Sequence, residues 1–263
     1  MKLDQIATDA EALVREVGSF IRKESMAFDN SKVEIKGLND LVSYVDKTAE
    51  EQLVTGLRKI LPEAGFIAEE GTASHNTEQF VWIVDPLDGT TNFTHGLPVF
   101  SISVALINQE RIVLGLVYEI NKDEMFKAIR GEGSFLNGDR FHVSDRTTLS
   151  ESLIATGFPY SNFEKTDDYL EILKSFMKQT HGVRRLGSAA VDLAYVACGR
   201  FEGFYEYNLN PWDVAAGILL VQEAGGKVSD FKGAENALFG KEIIAAGSVY
   251  NEMLQIIRNR WFA

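Results

Sequence analysis

Three acidic stations in this chain combine residue types and spacings that suit phosphoryl chemistry on hard metal ions. The first, Ala68-Glu69-Glu70-Gly71, ends an apolar run. The second is Trp82-Ile-Val-Asp85-Pro-Leu-Asp88-Gly-Thr-Thr-Asn92, and the third is Asn210-Pro-Trp-Asp213-Val-Ala-Ala-Gly217. In the second, an apolar run delivers Asp85 to the carboxyl end of a strand, where open α/β sheets place their ligands. Pro86 stiffens the exit and Gly89 lets backbone approach a ligand closely. Asp88-Gly89-Thr90-Thr91 then opens a short helix whose N–H groups can cradle a phosphate. Magnesium prefers carboxylate oxygens and takes few of them, because it keeps waters. Two acids placed around a tight turn can bridge two ions ~4 Å apart, as in-line phosphoryl transfer often requires.

Two of the stations also have ordinary readings. Glu69-Glu70 alone would be a solvated pair. Asp213 alone would serve a helix start, with Asn210 as N-cap, Pro211 at the first helical position and an acid against the dipole. The middle station resists this treatment: a turn does not need two acids, a proline, a glycine and two threonines straight after a buried strand. His75, His95, His142 and His181 form no ligand-spaced pair, and no serine or cysteine beside a histidine offers a nucleophile. An aspartyl-phosphate chemistry of the haloacid-dehalogenase type needs Asp-x-Asp-Gly-Thr. Here two residues separate Asp85 from Asp88, which turns the second carboxylate elsewhere.

The elements that must hold these acids are readable as periodicities. Ile6, Ala10, Leu13, Val14, Val17 and Ile21 form one stripe of a long first helix. A second helix is expected after Asp46, with Ala49, Leu53, Leu57 and Ile60 inward, ending before Pro62. From residue 66 to about 143 the pattern is strands, among them 80–85, 100–107, 111–118 and 124–129. Gly131-Glu-Gly-Ser-Phe-Leu-Asn-Gly138 reads as a hairpin rather than a phosphate loop, since no helix pattern follows. Beyond residue 147 strands (153–157, 182–186, 203–206) alternate with helices (164–179, 189–198, and one from Pro211 to Gly225-Gly226). The expectation is a single domain with an α+β half, about 1–146, and an α/β half, about 147–263, without a linker.

Composition narrows the partners. Acids outnumber bases 38 to 26 over 263 residues, a net charge of −12. That field repels nucleic acid, and repels phosphorylated ligands unless divalent cations intervene. Nucleic acid is therefore not an expected partner. The longest apolar runs are strand-length, short of the ~20 residues of a membrane helix. Met1-Lys2-Leu3-Asp4 does not read as a signal peptide. Cys198, the single cysteine, excludes an internal disulfide or thiolate zinc cage and fits a cytoplasmic location.

The ordered stations resemble the two signatures of the inositol monophosphatase family, Trp82 to Asn92 and Trp212-Asp-Val-Ala-Ala-Gly217. They also match its Gly-Glu-Glu motif, with Ala68 in the glycine's place. The match runs over nearly the whole chain. It implies a layered αβαβα sandwich of the inositol monophosphatase/sugar phosphatase type, a homodimer, and a magnesium-dependent, lithium-sensitive phosphomonoesterase. The expected substrate is a small phosphorylated polyol or sugar, myo-inositol monophosphate foremost, cleaved by direct attack of metal-activated water. The resemblance assigns one magnesium to Glu69, Asp85 and the Leu87 carbonyl, and a second to Asp85, Asp88 and Asp213. Glu69 would help hold a weaker third. It gives phosphate to the Gly89 and Thr90 amides and Lys36, and water activation to Thr90 with Asp46. Polyol hydroxyls would meet Asp88, Gly187, Ser188, Ala189, Glu206 and Asp213. Ser43 stands where the family often has threonine. Thr91-Asn92 is like the inositol and sugar-phosphate branch, whereas adenosine-bisphosphate relatives tend to have Lys-Glu there. Fructose 1,6-bisphosphate, NADP and adenosine 3',5'-bisphosphate remain alternative substrates. Arg184 and Arg185 suit either a second phosphate or a dimer-edge strand. A regulatory protein that keeps the fold is the reading from another class.

Overall fold

The computed structural model describes residues 3–28, 33–37, 40–71, 74–75, 78–159 and 163–262, and the side chains of 33–37, 40–42, 74 and 75 lie outside the described ones. Helix α1 (Leu3–Ser25) buries Ile6, Ala10, Val14, Val17 and Ile21 of the predicted stripe, with Leu13 half-buried. Strands β1 (Val33–Gly37) and β2 (Asp40–Ser43) pair as a small antiparallel ribbon ahead of α2 (Tyr44–Ile60). Helix α2 starts two residues before Asp46, because Asp46 closes a capping box with Ser43 from the third helical position.

An eight-stranded sheet follows, built from β3 (Gly65–Ala68), β4 (Ser74–His75), β5 (Phe80–Asp88), β6 (Ser101–Asn108), β7 (Arg111–Glu119), β8 (Glu124–Ile129), β9 (Gly133–Leu136) and β10 (Asp139–Phe141). Its order is β10-β9-β8-β7-β6-β5-β3-β4. Every neighbouring pair is antiparallel except β3 and β5. The glycine-rich stretch 131–138 is the expected turn chemistry around β9. A short helix α3 (Thr90–Thr94) leaves β5.

The rest of the chain builds β11 (Leu153–Thr156), α4 (Thr166–Gln179), β12 (Gly182–Arg184), α5 (Ala189–Ala197), β13 (Gly203–Tyr207), α6 (Pro211–Glu223), β14 (Lys227–Ser229), β15 (Glu242–Ala246) and α7 (Tyr250–Trp261). These strands form a second sheet of order β12-β11-β13-β15-β14, with β11 parallel to both its neighbours. Helix α7 was not anticipated, although its buried Tyr250, Met253, Ile257 and Trp261 recur at helical spacing.

Side-chain alternation along the strands sets the layers. Trp82, Val84, Ile102, Val104 and Leu116 face α1 and α2, while Ile83, Ala105, Val117 and Phe126 face the opposite way. There they join α5 and α6, whose other side packs on Ala155, Phe204, Ile243 and Ala245 of the second sheet. Ile154, Tyr205, Tyr207 and Ile244 turn outward onto α4 and α7. The stack is helices, sheet, helices, sheet, helices: the αβαβα sandwich. Helices α5 and α6 are apolar on all sides, as a middle layer must be.

Candidate active site

Parallel pairing of β3 and β5 sets Ala68 opposite Val84, so Glu69 and Asp85 emerge side by side from adjacent strand ends. The Glu69 N–H donates to the Val84 carbonyl at 3.3 Å. Across β6, Asp85 pairs with Ser103 and Asp88 with Ser101, leaving one extra residue on β5. That bulge re-aims the strand end, as bulges beside active sites do. Gly89, the N-cap of α3, has φ +100, and a Cβ there would meet the Val99 carbonyl at 3.1 Å and that of Gly187 at 3.3 Å. Only glycine suits both demands.

Four of the acids, Asp46, Asp85, Asp88 and Asp213, are tied by specific hydrogen bonds. Asp46 Oδ2 accepts the Ser43 N–H at 2.9 Å and the Ser43 hydroxyl at 2.6 Å, while its Oδ1 accepts from Thr90 Oγ1 at 2.9 Å. Thr90 Oγ1 also lies 3.0 Å from the Leu87 carbonyl. Asp85 Oδ1 accepts the Leu87 N–H at 2.9 Å. Asp88 Oδ2 accepts the Ser188 hydroxyl at 2.6 Å and the Ala190 N–H at 2.7 Å. Asp213 Oδ2 accepts the Asn210 N–H at 2.6 Å. The ordinary reading of Asp213 as a helix-capping acid is thus correct, and compatible with a place in the cavity wall.

That cavity holds about 360 Å³ and is lined by Glu69, Asp85, Leu87, Asp88, Gly89, Thr90, Gly187, Ser188, Ala189, Glu206 and Asp213, all expected site residues. Asp46 stands behind Thr90. Lys36 belongs to β1, but its side chain lies outside the described ones. Ser188 is 1% exposed, and its hydroxyl is directed to Asp88. Arg184, on the edge strand, is exposed and donates to the Val183 carbonyl, whereas Arg185 lines the cavity. Among the described histidines, His95, His142 and His181 are exposed.

Burial dominates the electrostatics. It pushes the Asp85 carboxyl well above the ordinary range, and the charges of Glu69, Asp88 and Asp213 push it further. Asp88 and Asp213 are raised for the same first reason. Desolvation also raises Asp46, against its bonds from Ser43 and Thr90. Glu206 is raised well above its usual value by burial, with Asp213 adding and Arg185 opposing.

The sequence reading gave no site role to Asp192 and Gly157 in this wall, nor to Asn92 behind it. Asp192 on α5 is 1% exposed and lines the cavity. The signal was present: it is the single acid in the otherwise apolar run Ala-Ala-Val-Asp-Leu-Ala-Tyr-Val-Ala. Asn92 donates through Nδ2 to the Val99 carbonyl at 2.7 Å and the Leu186 carbonyl at 2.8 Å, tying α3 to the loop before α5. Gly157 ends β11 against Glu206, whose carboxylate Oε2 would lie 2.1 Å from any Cβ there.

The donor set fits magnesium in kind. It offers four clustered carboxylates and one carbonyl, all hard oxygens, whose charges burial disfavours until a cation offsets them. As the side chains stand, no group of three or more Asp, Glu, His or Cys among the described residues forms a finished cage.

The fold is shared with known proteins. The inositol monophosphatase family model matches residues 2–262. A putative Nus factor SuhB of Neisseria meningitidis is 44% identical over 245 residues, covering 92% of this chain and 94% of that protein. An inositol-1-monophosphatase of Mesorhizobium japonicum is 42% identical over 238 residues, covering 90% of each. The solved structure of an IMPase from Thermotoga maritima superposes with a TM-score of 0.86 at 38% identity, covering 95% of each chain. The fold is the layered sandwich of this class of phosphatases, and the chain belongs to the inositol monophosphatase family. That family acts on phosphorylated small molecules and is generally magnesium-dependent. The expectation that nucleic acid is no partner gains no support here, since several relatives are named Nus factors. No helix among the described residues is long and apolar enough to cross a membrane.

Proposed function

We propose that this chain hydrolyses the phosphomonoester of a small polyol, myo-inositol monophosphate foremost. The carrying observation is that Glu69, Asp85, Asp88 and Asp213 share one cavity with Thr90, itself bonded to Asp46. Glu69, Asp85, the Leu87 carbonyl, Asp88 and Asp213 would hold two or three magnesium ions. When bound, these neutralise phosphoryl-oxygen charge and make water more acidic. The Gly89 and Thr90 amides face the phosphate. Thr90 takes a proton from the attacking water and passes its own to Asp46, whose desolvated carboxylate is a stronger base than usual. Glu206, held close to β11 because residue 157 lacks a side chain, accepts from hydroxyls of the alcohol. One displacement with no covalent intermediate inverts configuration at phosphorus.

Lithium inhibition and a homodimer accompany this reading. The test is phosphate release, with and without magnesium, from inositol 1-phosphate, fructose 1,6-bisphosphate, NADP and adenosine 3',5'-bisphosphate. Magnesium-dependent release fastest from inositol 1-phosphate is expected. No release from any ester would overturn the reading. A second role, as a Nus factor, is favoured by the names of relatives at 42–44% identity.

A further inference from the structure

Six acids line the cavity, and Arg185 is the one lysine or arginine among the described residues of its wall. Four of the six form the donor set assigned above to magnesium. The two left over, Asp192 and Glu206, are 1% and 6% exposed. They reach the wall from different elements, Asp192 from α5 and Glu206 from β13. Asp192 Oδ1 is buried and has no hydrogen-bond partner. A buried carboxylate oxygen without a donor costs free energy unless something in function supplies one. The Arg185 guanidinium acts on Asp88, Asp192 and Glu206 together, and so is shared among several acids.

We infer that Asp192 is a specificity-determining residue: with Glu206 it reserves the alcohol end of the cavity for hydroxyl groups and excludes a second phosphate. The inference rests on the phosphatase reading above and deepens it. A hydroxyl both donates and accepts, so it can meet these acids whatever their proton count. A second phosphate offers only acceptors and negative charge. It meets two buried acids against one shared, exposed arginine, so its approach is uphill at short range in a medium of low dielectric. Arg185 is therefore no marker of a bisphosphate substrate, despite its place in the wall. Asp192 works by rejection, so its removal should widen the substrate range rather than simply slow the enzyme.

The experiment compares wild type with Asp192→Asn, which is nearly isosteric and breaks no hydrogen bond recorded for the side chain. The readout is the ratio of kcat/KM for fructose 1,6-bisphosphate to that for inositol 1-phosphate, with p-nitrophenyl phosphate as a monoester lacking any polyol. The ratio should rise roughly ten-fold or more, the scale expected when one buried like charge is removed. A structural lesion would lower all three substrates together and leave the ratio where it was. An unchanged or lower ratio, with wild type active on the monoesters, overturns the inference alone. Should Asp192→Asn fold poorly by melting temperature, Asp192→Ser gives the same ratio test. Wild type inactive on all three esters would sink the phosphatase reading and this inference with it.

Discussion

Thr90 and Asp46 are bonded to each other, yet they are not equivalent targets. Asp46 divides its oxygens, one closing the capping box of α2 and the other accepting from Thr90. Asn at 46 therefore loses an acceptor as well as a base, and adds up to roughly 1 kcal/mol of helix-cap damage. Thr90→Ala removes the hydroxyl and one methyl group and leaves the cap of α2 intact. We expect it to lower kcat by about 10²–10⁴, the usual contribution of positioned proton transfer. Magnesium affinity and melting temperature should stay nearly as in wild type. Tight coupling of lost turnover to lost magnesium affinity, read by calorimetric titration, would place Thr90 in the metal set instead. The station Asp85 to Asn92 was legible because its residue types exceed what a turn needs; Asp213, an ordinary helix-capping acid by itself, was legible only beside it. Asp192 was not, since one acid in an apolar helix looks like a local exception until the helix is seen to lie between two sheets. Nor was the hold of Ser188 on Asp88 readable, because it spans 100 positions.

At the scale of elements, the site depends on how closely α6 lies on the sheet. Strand β7 has Gly115 beneath it, where a Cβ would stand 2.7 Å from the Ala216 carbonyl. On the other side, a Cβ at Gly217 would meet that of Leu193 on α5 at 2.5 Å. Gly115 lets α6 lie close on the sheet and Gly217 lets α5 lie close beside α6, and this close packing brings Asp213 to the acids of β5. Gly115→Ala should cost about 1–3 kcal/mol through overpacking, a fall of several degrees in melting temperature. It should also lower kcat more than a stability loss alone explains at a temperature where the variant stays folded, by lifting Asp213 from its partners. Full turnover in such a folded variant would show that the α6 position is not critical. The layer order was readable from the alternation of strands and helices. The pairing of β3 with β5 was not, since parallel register is set by packing rather than by either strand's own sequence.

For the whole molecule, a net charge of −12 and crowded buried acids make stability depend on pH and on divalent cation together. Folding raises the Asp85 pKa above its unfolded value, so the folded state binds the proton more tightly. The contribution of Asp85 to stability is thus most favourable at low pH, and declines as pH rises from about 4 through the raised folded pKa. In chelator, Asp85→Asn should melt like wild type near pH 4 and progressively higher than wild type towards neutrality. Magnesium should reverse the order, raising wild type by about RT ln(1 + [Mg]/Kd) and the variant much less. Thermal melts across pH, with chelator and with ten-millimolar magnesium, check both halves. Identical curves for the two proteins under all conditions would show that Asp85 neither feels the other acids nor holds a cation.

Two of the acids discussed here share a device: each accepts a backbone N–H three residues upstream, Ser43 to Asp46 and Asn210 to Asp213. An amide proton bonded to a carboxylate resonates according to the charge on that carboxylate. The nitrogen-15-labelled backbone therefore carries its own indicators, one for the acid proposed to accept the proton and one for an acid in the cavity wall. The resonances of Ser43 and Asn210 can follow each group's ionisation separately in a single titration, with no substitution or probe introduced at either acid.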